Sequence, residues 1–258
     1  MKAIWTGAIG FGLVNIPVKL YSATEGSALD FDMLDKKDHA NIKFKRVSEK
    51  TGKEVEWNNI VKGFRLPNDD YVVLTDKDFE AASPKKTKSI DISDFVNIDE
   101  IESVYYETPY YLEPEKSGAR AYALLREALE KTQKVGIGSF VLRNRESLVV
   151  LQPSENVIIL NRIRFHEEIR DANDLNLPSK TEVKAAELKM AVSLISQLTT
   201  KFNISKYKDT YSADLMKLIK AKSKGKTVKG PTLKIVHSKA ADLMSQLKAS
   251  LGKPKKAS

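Results

Sequence analysis

The side chains able to do chemistry are few and scattered. His39, His166 and His237 are the only imidazoles among 258 residues. None has the H-E-x-x-H or His-x-His spacing that sets two ring nitrogens on one metal. The acid pairs Asp69–Asp70, Asp99–Glu100 and Glu167–Glu168 are adjacent in sequence. In a strand they would point to opposite faces, which makes a poor two-metal site. There is no cysteine, so disulfides, thiolate zinc sites and cysteine nucleophiles are excluded. No G-x-S-x-G elbow occurs. The glycines of GAIGFGLVNIPVKLYSAT, Gly7, Gly10 and Gly12, run G-x-x-G-x-G rather than G-x-G-x-x-G. The next residues are an alternating run holding Pro17, which cannot open the helix a dinucleotide needs. The stretch reads as a strand pair whose glycines mark bends or close backbone approach, with Pro17 at an edge or bulge. KSKGKTVKG near residue 226 likewise lacks Walker spacing and a preceding strand. The expectation is a binding protein, not an enzyme, with no metal, cofactor or small-molecule substrate.

The basic residues say more. In NIKFKRVSEKTGKEV, Ile42 and Phe44 alternate with Lys43 and Lys45, so a strand here would be apolar on one face and cationic on the other. Arg46, Lys50 and Lys53 come next, around a T-G-K turn. Such a hairpin suits sequence-independent phosphate contact; it equally suits a solvated edge guarded by lysines. Arg143 and Arg145 in VLRNRE form a second candidate, although Glu146 could pair with either. Net charge is +9, and of 43 basic and 34 acidic residues, 14 and three lie from Lys206 to Ser258, leaving 29 against 31 upstream. All the positive excess is therefore near the C-terminus, where Lys222, Lys224, Lys226 and Lys229 surround a Gly- and Lys-rich linker. A lysine-rich terminal segment on a near-neutral body attracts polyanions. Lys62 completes the candidate nucleic-acid contacts.

The elements that must position these residues fall into two halves. VNIPVKLYS (14–22), NIKFKRV (41–47), YVVLT (71–75) and SIDISDFV (89–96) read as strands. SGARAYALLREALEKT reads as an amphipathic helix with Ala121, Leu124, Leu125, Ala128 and Leu129 on its apolar face. VGIGSFVLR, SLVVLQP and NVIILNRIRF then read as an antiparallel meander. After Asp171 come a polar connector and a helix capped by Ser179 and Glu182, with Leu188, Ala191, Val192, Ile195, Leu198 and Phe202 as its stripe. A second helix, about 209–222, carries Tyr211, Leu215, Leu218 and Ile219 on one side, and a short one starts near Ser238. No run approaches the roughly 20 apolar residues of a membrane span, and the first residues lack signal-peptide features, so the expected location is the cytoplasm, at the nucleoid.

Several blocks together carry a family likeness. FGLVNIPVKLYSAT, IVKGF with YVVLTDKDFEA, VYYETPYYLEPEKSGARAYALLREALEKTQKVGI and FVLRNRE resemble the bacterial Ku family of DNA-end-binding proteins in non-homologous end joining. The likeness runs from residue 1 to about 225. It implies a mixed α+β fold, with an antiparallel β-barrel core in residues 1–170. An extended β bridge arm at about 28–65 would close a ring in the dimer. A helical region at 171–224 would serve dimer and ligase contacts, and a basic linker and tail would occupy 225–258. It further implies a homodimer on double-stranded DNA ends that recruits ATP-dependent DNA ligase D through about 206–224, which includes Tyr211, Leu215, Leu218 and Ile219. It moves Lys43, Lys45, Arg46 and Lys53 towards DNA contact. A general nucleic-acid-binding protein acting through its basic tail is the alternative.

Overall fold

The computed structural model describes residues 1–27, 29–82, 88–142, 145–178, 183–226 and 243–252. The chain divides into two units, Met1–Gly26 with Asp30–Arg170, and Ser27–Leu29 with Asp171–Ser258.

In the first unit, β1 (Trp5–Phe11) and β2 (Val14–Ser22) form a hairpin. Gly12 turns it in the left-handed region at φ 57°, where a side chain would be strained. Pro17 stands opposite Ala8, and the β2 to β6 ladder begins only at Val18. After β2 come β3 (Lys62–Arg65), β4 (Tyr71–Leu74) and α1 (Asp76–Ala82). Among the described residues β3 and β4 pair only with each other. β5 (Ser89–Asn97), β6 (Tyr106–Pro114), α2 (Ala119–Thr132), β7 (Lys134–Leu142), β8 (Arg145–Ser154) and β9 (Val157–Ile163) complete the unit.

Seven strands close a barrel in the order β1-β2-β6-β9-β8-β7-β5. All neighbours are antiparallel except at the β1–β5 seam, where Ala8, Ile9 and Gly10 run parallel to Ser89, Ile90 and Asp91. Glycine permits close approach on both sides of β5, Gly7 from β1 and Gly138 from β7. A Cβ on Gly7 would lie 2.3 Å from the Lys88 carbonyl oxygen, and one on Gly138 would lie 2.4 Å from that of Asp91. The alternating run VNIPVKLYS coincides with β2 residue for residue, and β7 to β9 form the expected meander.

Alternate residues fill the interior: Ile9, Ile16, Val18, Leu20, Ile90, Val149, Leu151, Ile158 and Leu160 are fully enclosed. The end of the barrel where β6 finishes and β9 begins is covered by α2, whose Tyr122, Leu125 and Leu129 join the same core. The Tyr122 hydroxyl donates to the Leu112 carbonyl at 2.6 Å and accepts the Ile158 N–H at 2.6 Å. Burial pushes that phenol's pKa up, opposed by the Ile158 N–H. Leu124, expected on the buried face, is 70% exposed, because Tyr122 rather than Leu124 turns inward with Leu125 and Leu129.

In the second unit, α3 (Ala185–Leu198) and α5 (Leu243–Leu251) lie in contact, and α4 (Thr210–Lys222) is capped by Asp209, whose carboxylate accepts the Ser212 N–H at 3.0 Å. α3 ends before Phe202, which the expected stripe includes: the Thr199 N–H closes the last turn on Ile195, and Thr199 itself is extended. The Ser179–Glu182 cap and the start of the last helix near Ser238 lie outside the described residues.

Candidate nucleic-acid interface

Among the described residues between β2 and β5 no strand joins the barrel, and the candidate cations from Lys43 to Lys53 sit on and beside a turn held by few bonds. Val47 and Glu54 form an isolated bridge, the Ser48 N–H donates to the Lys53 carbonyl at 2.9 Å, and the Val55 N–H donates to that of Arg46 at 2.8 Å. The expected strand over 41–47 is therefore a correction: only Asn41 and Val47 make single bridges. The reason is the lack of a partner strand, so neither face is covered; Ile42 is 44% and Phe44 80% exposed. Lys45 reaches Glu54 at 2.7 Å, and the Arg46 guanidinium lies 4.4 Å from the centroid of the Trp57 ring. Lys43, Lys50 and Lys53 are exposed and make no ion pair among the described residues. Lys62, at the head of β3, lies over the Phe79 ring of α1 at 4.6 Å.

The same stretch leaves large apolar side chains in solvent. Trp57, Val61, Phe64 and Tyr71 are each at least 62% exposed. Single exposed apolar residues are ordinary, and it is a contiguous patch of them that marks a contact surface.

A second cationic group lies on the barrel. Arg145 opens β8 and donates to Glu168 at 3.3 Å, not to its neighbour Glu146, because Glu168 is brought alongside by the short helical turn after β9. Arg162 on β9 donates through Nε at 2.8 Å and through Nη2 to the two oxygens of Glu107. A bulge in β6 makes this possible. The register shifts between Tyr106 and Thr108, so that Glu107 and Thr108 together oppose Arg162, and a bulge re-aims the extra side chain towards its partner strand. The hydrogen bond from Arg162 holds the Glu107 carboxyl below the usual carboxylate range against the opposing effect of burial, with Arg164 and Arg145 adding to the attraction. Arg164 donates to the carbonyls of Val104 at 3.0 Å and Tyr106 at 2.8 Å, stapling the turn before β6. Sequence reasoning misses Arg162 and Arg164. Their signal is in NRIRF, where arginines alternate with Ile163 and Phe165 at strand period, but the acid that Arg162 answers is 55 residues away.

The acid pairs lie in turns rather than strands. Asp69 has a φ of 69° between β3 and β4, Asp99 and Glu100 fall in one short helical turn, and Glu167 and Glu168 fall in another. Glu100 accepts the Asn97 N–H at 3.1 Å and Glu168 that of Phe165 at 2.9 Å, so these carboxylates are occupied as caps.

In the second unit, Lys222 ends α4 and Lys224 and Lys226 come after it, all exposed. On α4, Tyr211 is 74% exposed, and Leu215, Leu218 and Ile219 are half-buried. Arg143 and Lys229 lie outside the described residues.

Comparison with known proteins adds a consistent set of relatives. A family model described as the Ku70/Ku80 beta-barrel domain matches residues 10–190. The chain is 38% identical to the non-homologous end joining protein Ku of Coxiella burnetii, over 99% of this chain and 96% of that protein. It is 40% identical to the protein of the same name from Archaeoglobus fulgidus, over 97% and 98%, and 41% identical to that of Pseudomonas aeruginosa, over 94% and 84%. Among solved structures, the SPOC domain of human PHD-finger protein 3 is similar at 12% identity over 63% of this chain and 97% of that one, with a TM-score of 0.31, too low to carry an argument.

Proposed function

The chain belongs to the Ku70/Ku80 beta-barrel family, and from that premise we propose that it binds the ends of double-stranded DNA in non-homologous end joining, as a homodimeric ring that ignores sequence. The observation that supports this best is the excursion between β2 and β5. It carries lysines without an ion pair among the described residues and, in the same stretch, exposed aromatic side chains, the first suited to a phosphate backbone and the second to another copy of the chain. Lys43, Lys45, Arg46, Lys50, Lys53 and Lys62 are the proposed backbone contacts on this arm, with Arg143 and Arg145 on the barrel and Lys222, Lys224, Lys226 and Lys229 behind α4. Nine of these twelve are lysines, whose ammonium groups act as point charges without the planar fork of arginine, so contact is mainly with the rails of the duplex.

The ring gives end selectivity through topology. A closed dimer threads onto a free terminus and cannot enter a sealed circle. Affinity comes from counterion release and falls steeply with added salt. The protein acts by holding ends in the cytoplasm, at the nucleoid, and by presenting α4 through Tyr211, Leu215, Leu218 and Ile219 to ATP-dependent DNA ligase D. No step of this requires turnover, a metal or a cofactor.

The test is a competition mobility shift with one labelled linear duplex. Unlabelled linear fragments should displace it, whereas relaxed closed circles of equal length, and duplexes sealed by bulky hairpins at both ends, should compete poorly. Equal competition by circles would leave a surface-binding protein in place of a ring.

A further inference from the structure

The barrel has two unlike ends. One is covered by α2, with Tyr122, Leu125 and Leu129 packed onto the core. At the other the interior columns change character. Along β9, Ile158 and Leu160 are enclosed and Arg162 comes next at the same period of two, opposite the enclosed Val149 of β8. Along β8 the column runs outward from Val149 through Ser147 to Arg145, which stands opposite Leu142 of β7. Apolar filling thus gives way to two guanidinium groups and a hydroxyl within a short span of adjacent strands. A cavity of about 310 Å³ opens there, lined by Ile4, Tyr110, Leu142, Arg145, Ser147 and Arg162. That is near the lower bound of small-ligand sites, for which barrel mouths are a preferred location.

The groups in this mouth are held in place and not used up. Glu107 takes the Nε hydrogen and one Nη2 hydrogen of Arg162, and Glu168 takes only Nη2 of Arg145, at 3.3 Å. A guanidinium carries five N–H donors in a fixed fork, so each arginine retains an edge. Ser147 is 7% and Tyr110 8% exposed, placing two hydroxyl-bearing side chains in the enclosed part of the wall. Arg164 adds to the attraction at Glu107, and Glu146 lines the adjoining cavity with Glu107 and Glu168, so three arginines stand among three carboxylates. Ile4 and Leu142 supply an apolar side against which a sugar or base could lie.

We infer that this mouth is a binding site for a phosphate monoester, seated by the remaining N–H edges of Arg145 and Arg162 and by the hydroxyls of Ser147 and Tyr110. Such a group reaches the site either as the 5′-phosphate of a DNA end or on a free nucleoside monophosphate. The first source rests on the reading of the protein as an end binder; the second does not.

The experiment has two arms on the full chain. In the first, deoxyadenosine 5′-monophosphate is titrated by calorimetry, with deoxyadenosine as control. In the second, blunt duplexes with 5′-phosphate or 5′-hydroxyl ends are compared by mobility shift. Removal of a charge-assisted hydrogen bond is expected to weaken monophosphate binding about tenfold in Arg145→Gln, and several-fold in Tyr110→Phe, which keeps the ring and removes only the hydroxyl. Thermal melts of both variants separate impaired binding from impaired folding. Saturable monophosphate binding that falls in both variants supports the site, and a preference for phosphorylated ends that disappears in Arg145→Gln assigns the DNA end as the source. Equal binding of both duplexes with intact monophosphate binding assigns the free nucleotide. No saturable binding of the monophosphate together with equal affinity for both duplexes overturns the inference. If neither duplex is bound, the end-binding reading fails and the calorimetric arm alone decides the site.

Discussion

The Arg46 guanidinium lies 4.4 Å from the ring centroid of Trp57, so a cation and an exposed aromatic of the arm are held together across the turn that carries Lys50 and Lys53. Such a contact contributes about 0.5–1 kcal/mol at an exposed site. It fixes the base of the turn while leaving the lysines at its tip unpaired. One residue earlier, Lys45 is neutralised by Glu54. The cations of the arm are therefore unequal in the charge they can offer to DNA.

The salt dependence of duplex affinity should resolve that inequality. Replacing both Lys50 and Lys53 with alanine is expected to reduce the log–log slope by about 0.9 for each phosphate no longer neutralised. Lys45→Ala should change it less, since Glu54 already offsets that charge. Mobility shifts at four or five salt concentrations supply the slopes. An equal effect of all three lysines would mean that the Lys45–Glu54 pair opens on DNA.

Self-association should depend on the uncovered arm. A permanent dimer typically buries about 2,000 Å² or more of largely apolar surface, and Trp57, Val61, Phe64 and Tyr71 offer such surface. Sedimentation at micromolar concentration is expected to give a dimer, and Phe64→Asp combined with Val61→Asp a monomer with the barrel still folded. A dimer that survives the double substitution would move the interface off the arm.

Tyr122→Phe isolates one hydroxyl in the core. Its removal leaves the Leu112 carbonyl and the Ile158 N–H without their shared partner. The expected cost is about 1–3 kcal/mol, read as a lower urea midpoint with an unchanged slope. A cost under about 0.5 kcal/mol would mean that water or a shift of α2 satisfies both groups.

The Glu107–Arg162 pair predicts a pH dependence of stability. The carboxyl is held below its ordinary value in the folded protein by the hydrogen bond from Arg162. Its contribution is therefore complete above the unfolded pKa of about 4.3 and is lost as pH falls through the lower folded value. Denaturation curves between pH 3 and 7 should show a steeper decline below about pH 4.5 for the wild type than for Glu107→Gln. Parallel curves would assign the acid sensitivity elsewhere.

Truncation after residue 205 removes α4 and the lysines behind it. The shortened chain should retain most of its affinity for duplex ends and no longer stimulate ligase D. If end binding disappears instead, the basic tail and not the arm is the main DNA contact.

Most of the barrel strands were legible in the sequence because their signal is local, whereas β6, between β2 and β9, was not among the runs read as strands. β2 alternates between barrel wall and surface, and the meander of β7 to β9 is punctuated by turns. The 41–47 stretch has the same alternation and forms no strand, because a strand also needs a neighbour to take its hydrogen bonds and a layer to cover its apolar face. Composition and spacing by themselves also determined the absence of cysteine chemistry and the concentration of positive charge after Lys206. Which carboxylate answers which arginine could not be read that way. Arg145 turns from its neighbour Glu146 to Glu168, and Arg162 finds Glu107 through a bulge in a different strand. Ion pairing depends on distance in space, and barrel closure brings together residues that the chain keeps far apart. For the same reason only the tertiary structure decided that Arg145, Ser147, Arg162 and Tyr110 line one mouth, with the opposite end sealed by α2.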